Sequence, residues 1–487
     1  MPLTIWTFYR WFEVSARTWA FGLALSAAVG CGSTAPSTAN GHGGSPDAST
    51  AIGSGGTPDA APGTGAGGSR DAAPATGSGG VASGGTSGGV GGATGGAGGS
   101  ASVPDASAPD TAPTVKDAAM DGPRSGFVHP GILVSQPMLD FVHAKLAASA
   151  EPWATALAAA KQSSYASLTY TPHPIAVVDC GSYSNPDIGC TDEKNDADAA
   201  YIQALLWVHT GDESYAKKAI EIMNAWSSTI TDHTNSNAPL QSAWVAEVFP
   251  RAGEIIRATY PGWAAADIAQ FASMLKHVYL PKVQNGSGSN GNWELSMIEA
   301  VMNIGIFTDD TATFNQALTM WRARVPAYLY MTSDGATPVP PPTNPKTGSA
   351  LVTFWYDQST YVDGLCQETC RDLGHVQYGL AAMINAAETA LIQDVDLYGE
   401  QQARLVAALE FHANYLRGAT VPAWLCGGTL TAVKFDPMWE IAVNELGNVR
   451  GEGLPNAAAL VAANRPTGTD HHMAWETLTH AQIGAAR

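Results

Sequence analysis

The chain has 487 residues, with 43 Asp and Glu against 24 Lys and Arg, a formal net charge of −19. That balance argues against nucleic acid as a partner, and it means that an acidic substrate must be held by local cations rather than by the overall field.

Arg10 and Arg17 precede an apolar run over 19–29, which ends in AAVGC at Cys31. The run is too short to span a bilayer, so 1–31 reads as an export signal. Small residues followed by a cysteine resemble a bacterial lipobox. The resemblance implies cleavage before Cys31, acylation of that cysteine, and attachment to a membrane through the lipid. A plain secretory signal is the alternative. The expected location is the outer membrane or cell surface, otherwise the periplasm or medium. Residues 32–123 are almost wholly Gly, Ser, Ala, Thr, Pro and Asp. They have too little apolar surface to offset the entropy of ordering and read as a flexible tether. Residues 124–487 are long enough for one domain with a substantial core.

Five cysteines follow Cys31. Cys180 and Cys190 flank the turn-rich GSYSNPDIG and are the best disulfide pair. Cys366 and Cys370 lie at i, i+4 in a stretch expected to be helical, so either could reach Cys426, leaving one cysteine over. No CxxC or HExxH occurs, so no metal site is expected, and no organic cofactor is implied.

Within the folded part, 124–133 reads as a strand or loop, and Ser135 can cap a first helix. A second helix starts at Pro152, and 165–193 reads as a Pro/Gly/Cys loop. Amphipathic helices are then expected over 196–210, from Asp212, and over 241–259, 264–279, 292–308 and 311–330. A long Pro/Gly loop at 332–353 is followed by helices over most of 364–387, at 396–416 and near 472–483. Strand signals are scarce. Ten or more helices in short antiparallel pairs point to an all-α fold, an incomplete (α/α) toroid.

Two stretches carry chemistry. In 364–387, Leu373, Val376, Leu380, Met383, Ile384 and Ala387 form an apolar stripe, whereas Arg371, His375 and Tyr378 fall at i, i+4, i+7 on another face. A cation, an imidazole and a phenol so spaced can do acid–base work; they can also be an ordinary wet face, with Arg371 paired to Glu368 or Asp372. In 289–304, Asn290 and Gly291 make a turn, Asn292 can cap, and Trp293 and Glu294 open a helix whose positive end favours an anion.

NGNWELSMIEA, RVPAYLYMTSDG and QETCRDLGHVQYGLAAMINAAE resemble the alginate lyase superfamily of polysaccharide lyases, over most of 125–485. The resemblance implies an α/α toroid that cleaves uronic-acid polysaccharides, such as alginate or glucuronan, by β-elimination. It implies an Asn and an Arg to neutralise the carboxylate and a Tyr seven residues after the Arg. Arg371 and Tyr378 match that spacing, and Asn292 or Asn290 matches the Asn. Those lyases often carry a His directly after the Asn; here Gly291 and Trp293 stand there, and His375 is the nearest substitute.

The C5 proton of a uronate is a poor acid because the adjacent carboxylate is already negative. An amide and a guanidinium stabilise the enolate-like dianion, a base removes the proton, and an acid protonates the departing O4. Tyr378 can do both if Arg371 or an imidazole lowers its pKa; otherwise His375 is the base and Tyr378 the acid. Trp355 and Tyr356 are candidate sugar platforms. Gln241, Trp244 and Glu247, and His471 and His472, are candidate lining residues; His472, Glu476 and His480 fall at i, i+4, i+8. Two other readings remain open. A glycoside hydrolase would need opposed carboxylates from Glu247, Glu294 and Glu368. A non-catalytic glycan-binding lipoprotein would need no base at all.

Overall fold

The computed structural model describes residues 126–431 and 435–486. The export signal, Cys31 and the tether lie outside the described residues.

The elements run α1 (Gln136–Ala147), α2 (Trp153–Gln162), β1 (Val177–Cys180), β2 (Asp187–Ile188), α3 (Cys190–Thr210), α4 (Glu213–Ser227), β3 (Asp232–Thr234) and α5 (Ala238–Thr259). Then come α6 (Ala265–Met274), a π-helical turn Leu275–Tyr279, α7 (Leu280–Val283), α8 (Gly291–Phe307), α9 (Thr311–Tyr328) and α10 (Gly348–Phe354). The chain ends with α11 (Leu373–Ile392), α12 (Leu397–Leu416), α13 (Glu440–Ala442), α14 (Pro455–Asn464), the hairpin β4 (Thr469–Asp470) and β5 (Met473–Ala474), and α15 (Glu476–His480). β1 pairs antiparallel with β2 and parallel with β3.

The helices form two layers. α3, α5, α8 and α11 pack one on the next and are buried along most of their length. α4, α9 and α12 each cover the inner helix that precedes or follows them and bury only one face. In α4 that face is Ala216, Ala219, Ile222, Met223 and Trp226, at the helical period. Aspartates begin many of these helices. Asp212, Asp310, Asp372 and Asp396 each accept a backbone N–H in the first turn of α4, α9, α11 and α12, a cap contributing about 1 kcal/mol. The result is the expected all-α incomplete toroid, whose fully buried inner helices must also bury polar side chains such as Glu193, Arg251, Glu299 and Gln377.

Disulfides join Cys180 to Cys190 and Cys370 to Cys426, leaving Cys366 as a buried free thiol. By loop-closure entropy, their separations of 10 and 56 residues correspond to about 3 and about 4 kcal/mol.

Several expectations need correction. The segment 364–372 is a run of turns, and α11 begins only at Leu373. Cys366, Cys370 and Arg371 are therefore off the helix, and only His375 and Tyr378 share its face. Asp372 explains the difference, because its side chain caps the helix and fixes the start. Likewise α8 starts at Gly291 with Asn290, not Asn292, at the cap position, and Ser135 caps without a side-chain bond. α3 begins at Cys190, inside the stretch expected to be loop. The last helix spans only Glu476–His480, because His471 and Trp475 adopt left-handed backbone.

Candidate active site

The site is built around the start of α11. On one side stands Glu368, fully buried, with four donors converging on its carboxylate. They are the backbone N–H of Asn292 at 2.9 Å, Asn292 Nδ2 at 2.7 Å, Arg371 Nη1 at 2.9 Å and the Tyr328 hydroxyl at 3.2 Å. One internal carboxylate thus fixes both groups expected to neutralise a uronate. Asn292 itself is 1% exposed, whereas Asn290 is half-buried and its Oδ1 accepts from Gln367 Nε2 at 3.4 Å. Tyr328 is wedged between two glycines: a Cβ on Gly291 would fall within its ring, and one on Gly379 would lie 2.5 Å from its hydroxyl.

On the other side, Asp372 accepts the His375 backbone N–H at 2.8 Å and sits 2.6 Å from His375 Nδ1. This half-buried ring is thereby oriented through Nδ1, which donates to Asp372. Burial alone would raise the Asp372 carboxyl, but the contacts with His375 hold it below its usual range. The His375 and Tyr378 rings meet edge-on, with centroids 6.1 Å apart. Tyr378 packs between Trp244 (6.4 Å), His471 (5.1 Å) and His472 (6.0 Å), and its hydroxyl is hydrogen-bonded to Asp470. Burial, reinforced by Asp470, Asp436 and Asp372, pushes the phenol pKa up. The expected lowering by Arg371 or an imidazole does not occur, so Tyr378 is held protonated. Lys194 closes this wall, its Nζ 3.3 Å from His471 Nε2 and 5.1 Å from the Trp244 ring centre.

Behind Tyr378 lies a buried network. His472 Nε2 is 3.1 Å from the backbone carbonyl of Tyr378, so it donates there, and the His472 carbonyl accepts from Arg251 Nη1 at 2.6 Å. His472 Nδ1, left with a lone pair, faces Glu247 Oε2 at 3.2 Å. Burial, and then Arg251, depresses the His472 pKa to about 3. Burial and the neighbouring Glu299 raise Glu247 well above the carboxylate range. Glu247 is therefore held in its protonated form.

Among the described residues, Glu247, Glu299 and His472 have metal-ligand spacing, their ligand atoms within 4.8 Å of one another. Arg251 is ion-paired to Glu299, so with Glu247 protonated the cluster balances its charge internally.

Of the remaining candidates, Trp244 and His471 face the Tyr378 wall, while Trp293 and Tyr356 are half-buried. Gln241 is buried against Glu193 (2.7 Å) and the Cys190 carbonyl (3.0 Å), and Glu247 and His472 belong to the buried network, so none of these three lines a cleft. Trp355 is 1% exposed in a small core with Tyr330, Leu351, Leu365 and Leu425, which leaves no face for a sugar. His472, Glu476 and His480 diverge, since Glu476 accepts the Glu440 N–H at 2.9 Å and His480 Nε2 meets the Leu133 carbonyl at 3.1 Å. Glu294 is buried on Arg324 at 3.1 Å. With Glu247 and Glu368 also engaged internally, the carboxylates a hydrolase would use all have structural partners.

Asp372, Asp470, Lys194 and the anchoring role of Glu368 were missed from sequence. Asp372, three residues before His375, carried a legible capping signal; the others meet the site through long-range contacts with no local signature.

A family model described as Alginate lyase matches residues 178–339, the stretch from β1 through α9 that holds Asn290 and Asn292. That match, over about a third of the chain, supports the alginate lyase superfamily. The activity class that this likeness indicates is that of a polysaccharide lyase. No curated protein matches the sequence. Among solved structures, alginate lyase A1-III from Sphingomonas species A1 aligns at TM-score 0.50 and 15% identity, over 71% of this chain and 96% of that one. A variant of alginate lyase A1-III complexed with a tetrasaccharide aligns at TM-score 0.50 and 15% identity, over 72% and 95%. An alginate lyase from Bacteroides ovatus aligns at TM-score 0.48 and 15% identity, over 73% and 100%. At this identity the first two likenesses establish the shared toroid.

Proposed function

We propose that this protein cleaves a uronate polymer, alginate or a glucuronan, by β-elimination, leaving a 4,5-unsaturated uronate. The observation that carries this reading is the oriented pair on α11: His375, held by Asp372 through Nδ1, edge-on to a protonated Tyr378. Arg371 and an amide of the Asn290–Asn292 turn, anchored through Glu368 and Gln367, neutralise the carboxylate of the residue that loses its proton. His375 Nε2 removes the C5 proton. Tyr378, kept protonated by its surroundings, gives its proton to O4 as the C4–O4 bond breaks. Each proton transfer contributes ~10²–10⁴-fold. Trp244, His471 and Lys194 offer an aromatic face and a cation beside Tyr378 for the same chain. That a related lyase holds a tetrasaccharide supports a cleft for a chain-like ligand.

Anchoring belongs to the same proposal: acylation at Cys31 would fix the protein to a membrane, with the tether setting the domain off the surface. Labelling with a fatty-acid probe, retained by the wild type and lost by Cys31→Ser, tests it.

Alginate, glucuronan and other polyuronates incubated with the protein, with products read by mass spectrometry, test the activity. The reading expects oligosaccharides dehydrated at the new non-reducing end. Hydrated products from every active polymer, or no products from any, would overturn it.

A further inference from the structure

Three consecutive residues of the C-terminal hairpin grip Tyr378 at its two ends and on its ring. β4 and β5 pair in the register Thr469↔Ala474 and Asp470↔Met473, so His471 and His472 form a two-residue loop. Asp470, the last paired residue before the loop, is hydrogen-bonded to the Tyr378 hydroxyl. His472, at the far end of the loop, donates from Nε2 to the Tyr378 backbone carbonyl at 3.1 Å. Between them the His471 ring packs on the phenol, with centroids 5.1 Å apart.

The loop runs against ordinary turn chemistry. His471 has a φ of 54°. A positive φ at the first position of a two-residue hairpin loop is normally supplied by glycine, because a Cβ is strained there. Such an outlier persists where its surroundings over-determine it, and outliers of this kind gather at functional sites. The surroundings of His471 hold both ring nitrogens. Lys194, from the first turn of α3, stands 3.3 Å from Nε2, and an ammonium only donates, so Nε2 accepts. The ring proton is therefore on Nδ1, which donates to Asp470. Trp244 closes on the same ring with centroids 4.5 Å apart. A chain of hydrogen bonds thus runs from Lys194 through His471 and Asp470 to the phenol. Glycine at 471 would satisfy the turn and break that chain at its middle.

We infer that the hairpin tip Asp470–His472 is a clamp that positions Tyr378 for proton transfer, with Asp470 as the positioning residue. Asp470 holds the phenol oxygen in place with its proton on it. As the C4–O4 bond breaks, O4 gains charge and becomes the better acceptor, and the hydroxyl turns from Asp470 to O4. The proton passes from Tyr378 to O4, Asp470 neither gains nor loses one, and the phenolate left behind regains a proton from water. The role of the clamp in turnover rests on the lyase reading above; its hold on the hydroxyl does not.

The hold is tested by carbon-13 NMR of the full chain labelled at tyrosine Cζ, with the Tyr378 resonance identified by its loss in Tyr378→Phe. A phenol that donates to a carboxylate resonates downfield of one that donates to water. The wild-type resonance should lie downfield and move upfield in Asp470→Ala; the same position in both would overturn the inference. Kinetics on a polyuronate, beside thermal melts, test the role. Asp470→Ala and His471→Gly should each lower kcat about 10²-fold, the scale for a misplaced catalytic group, and leave KM within about threefold. His471→Gln, whose amide can accept from Lys194 and donate to Asp470, should recover part of the loss. An unchanged kcat in both Asp470→Ala and His471→Gly would overturn the clamp. So would a loss of kcat that only follows a lowered melting temperature, with no recovery in His471→Gln. Inactivity of the wild type on every uronate strikes the lyase reading instead, and the resonance then decides the hold on Tyr378 by itself.

Discussion

Asn292 and Glu368 are joined twice, the backbone N–H of Asn292 meeting one carboxylate oxygen at 2.9 Å and its Nδ2 the other at 2.7 Å. Arg371 shares that carboxylate. Glu368 therefore fixes Arg371 and the first turn of α8 without touching substrate. Glu368→Gln removes the charge that holds them, and kcat is expected to fall about 10²-fold, the scale for misplacing one electrostatic donor. Steady-state kinetics beside a thermal melt check this; a change within twofold would show that Asn292 and Arg371 hold their places unaided.

His375 depends on Asp372 for its tautomer. Asp372→Asn should lower kcat by ~10²–10⁴-fold, the contribution of a general base, while keeping the helix cap, since an Asn oxygen accepts the same backbone N–H. His375→Ala should lose activity to the same degree and regain part of it with added imidazole. Absence of rescue, with Asp372→Asn active, would move the base elsewhere.

The buried network predicts a pH dependence of stability. The folded-state pKa of Glu247 lies well above its ordinary value of 4.5, so the folded protein holds a proton there that the unfolded chain has released. Its contribution is complete below pH 4.5 and is lost as pH rises through the folded value. Glu299, raised by burial to about 7, acts in the same direction. Glu247→Gln copies the protonated acid in shape and cannot lose a proton. The variant should melt like the wild type at pH 5 and above it at pH 8, by differential scanning calorimetry. The same melting difference at both pH values would contradict a protonated Glu247.

Gly379 leaves room for Tyr328, whose hydroxyl reaches Glu368. Gly379→Ala should cost about 1–3 kcal/mol by overpacking and reduce activity through Glu368, whereas Tyr328→Phe should keep the packing. Chemical denaturation of the two variants separates the effects.

Much of this was legible in the sequence. Amphipathic periods gave the helices and the all-α toroid, because the outer helices bury one face each and the period survives. The inner helices are buried all round, so periodicity could not say which polar residues point into a cleft and which into the core. Gln241, Glu247 and His472 were misplaced for that reason, and Trp355 because an aromatic in a long loop serves a local core as readily as a sugar. The helical extension back to Arg371 failed on a single capping side chain, Asp372. Both disulfide pairs were within reach of spacing arguments, although the choice of Cys370 over Cys366 needed the turn geometry.

The most direct test of elimination at this site is the ultraviolet absorbance of unsaturated uronate, followed for the wild type and Tyr378→Phe on the same polyuronate. The account predicts a steady rise with the wild type and a rate at least ~10²-fold lower with Tyr378→Phe, the loss of its general acid. A Tyr378→Phe variant that matches the wild type, or a wild type that makes reducing ends without that absorbance, would contradict it.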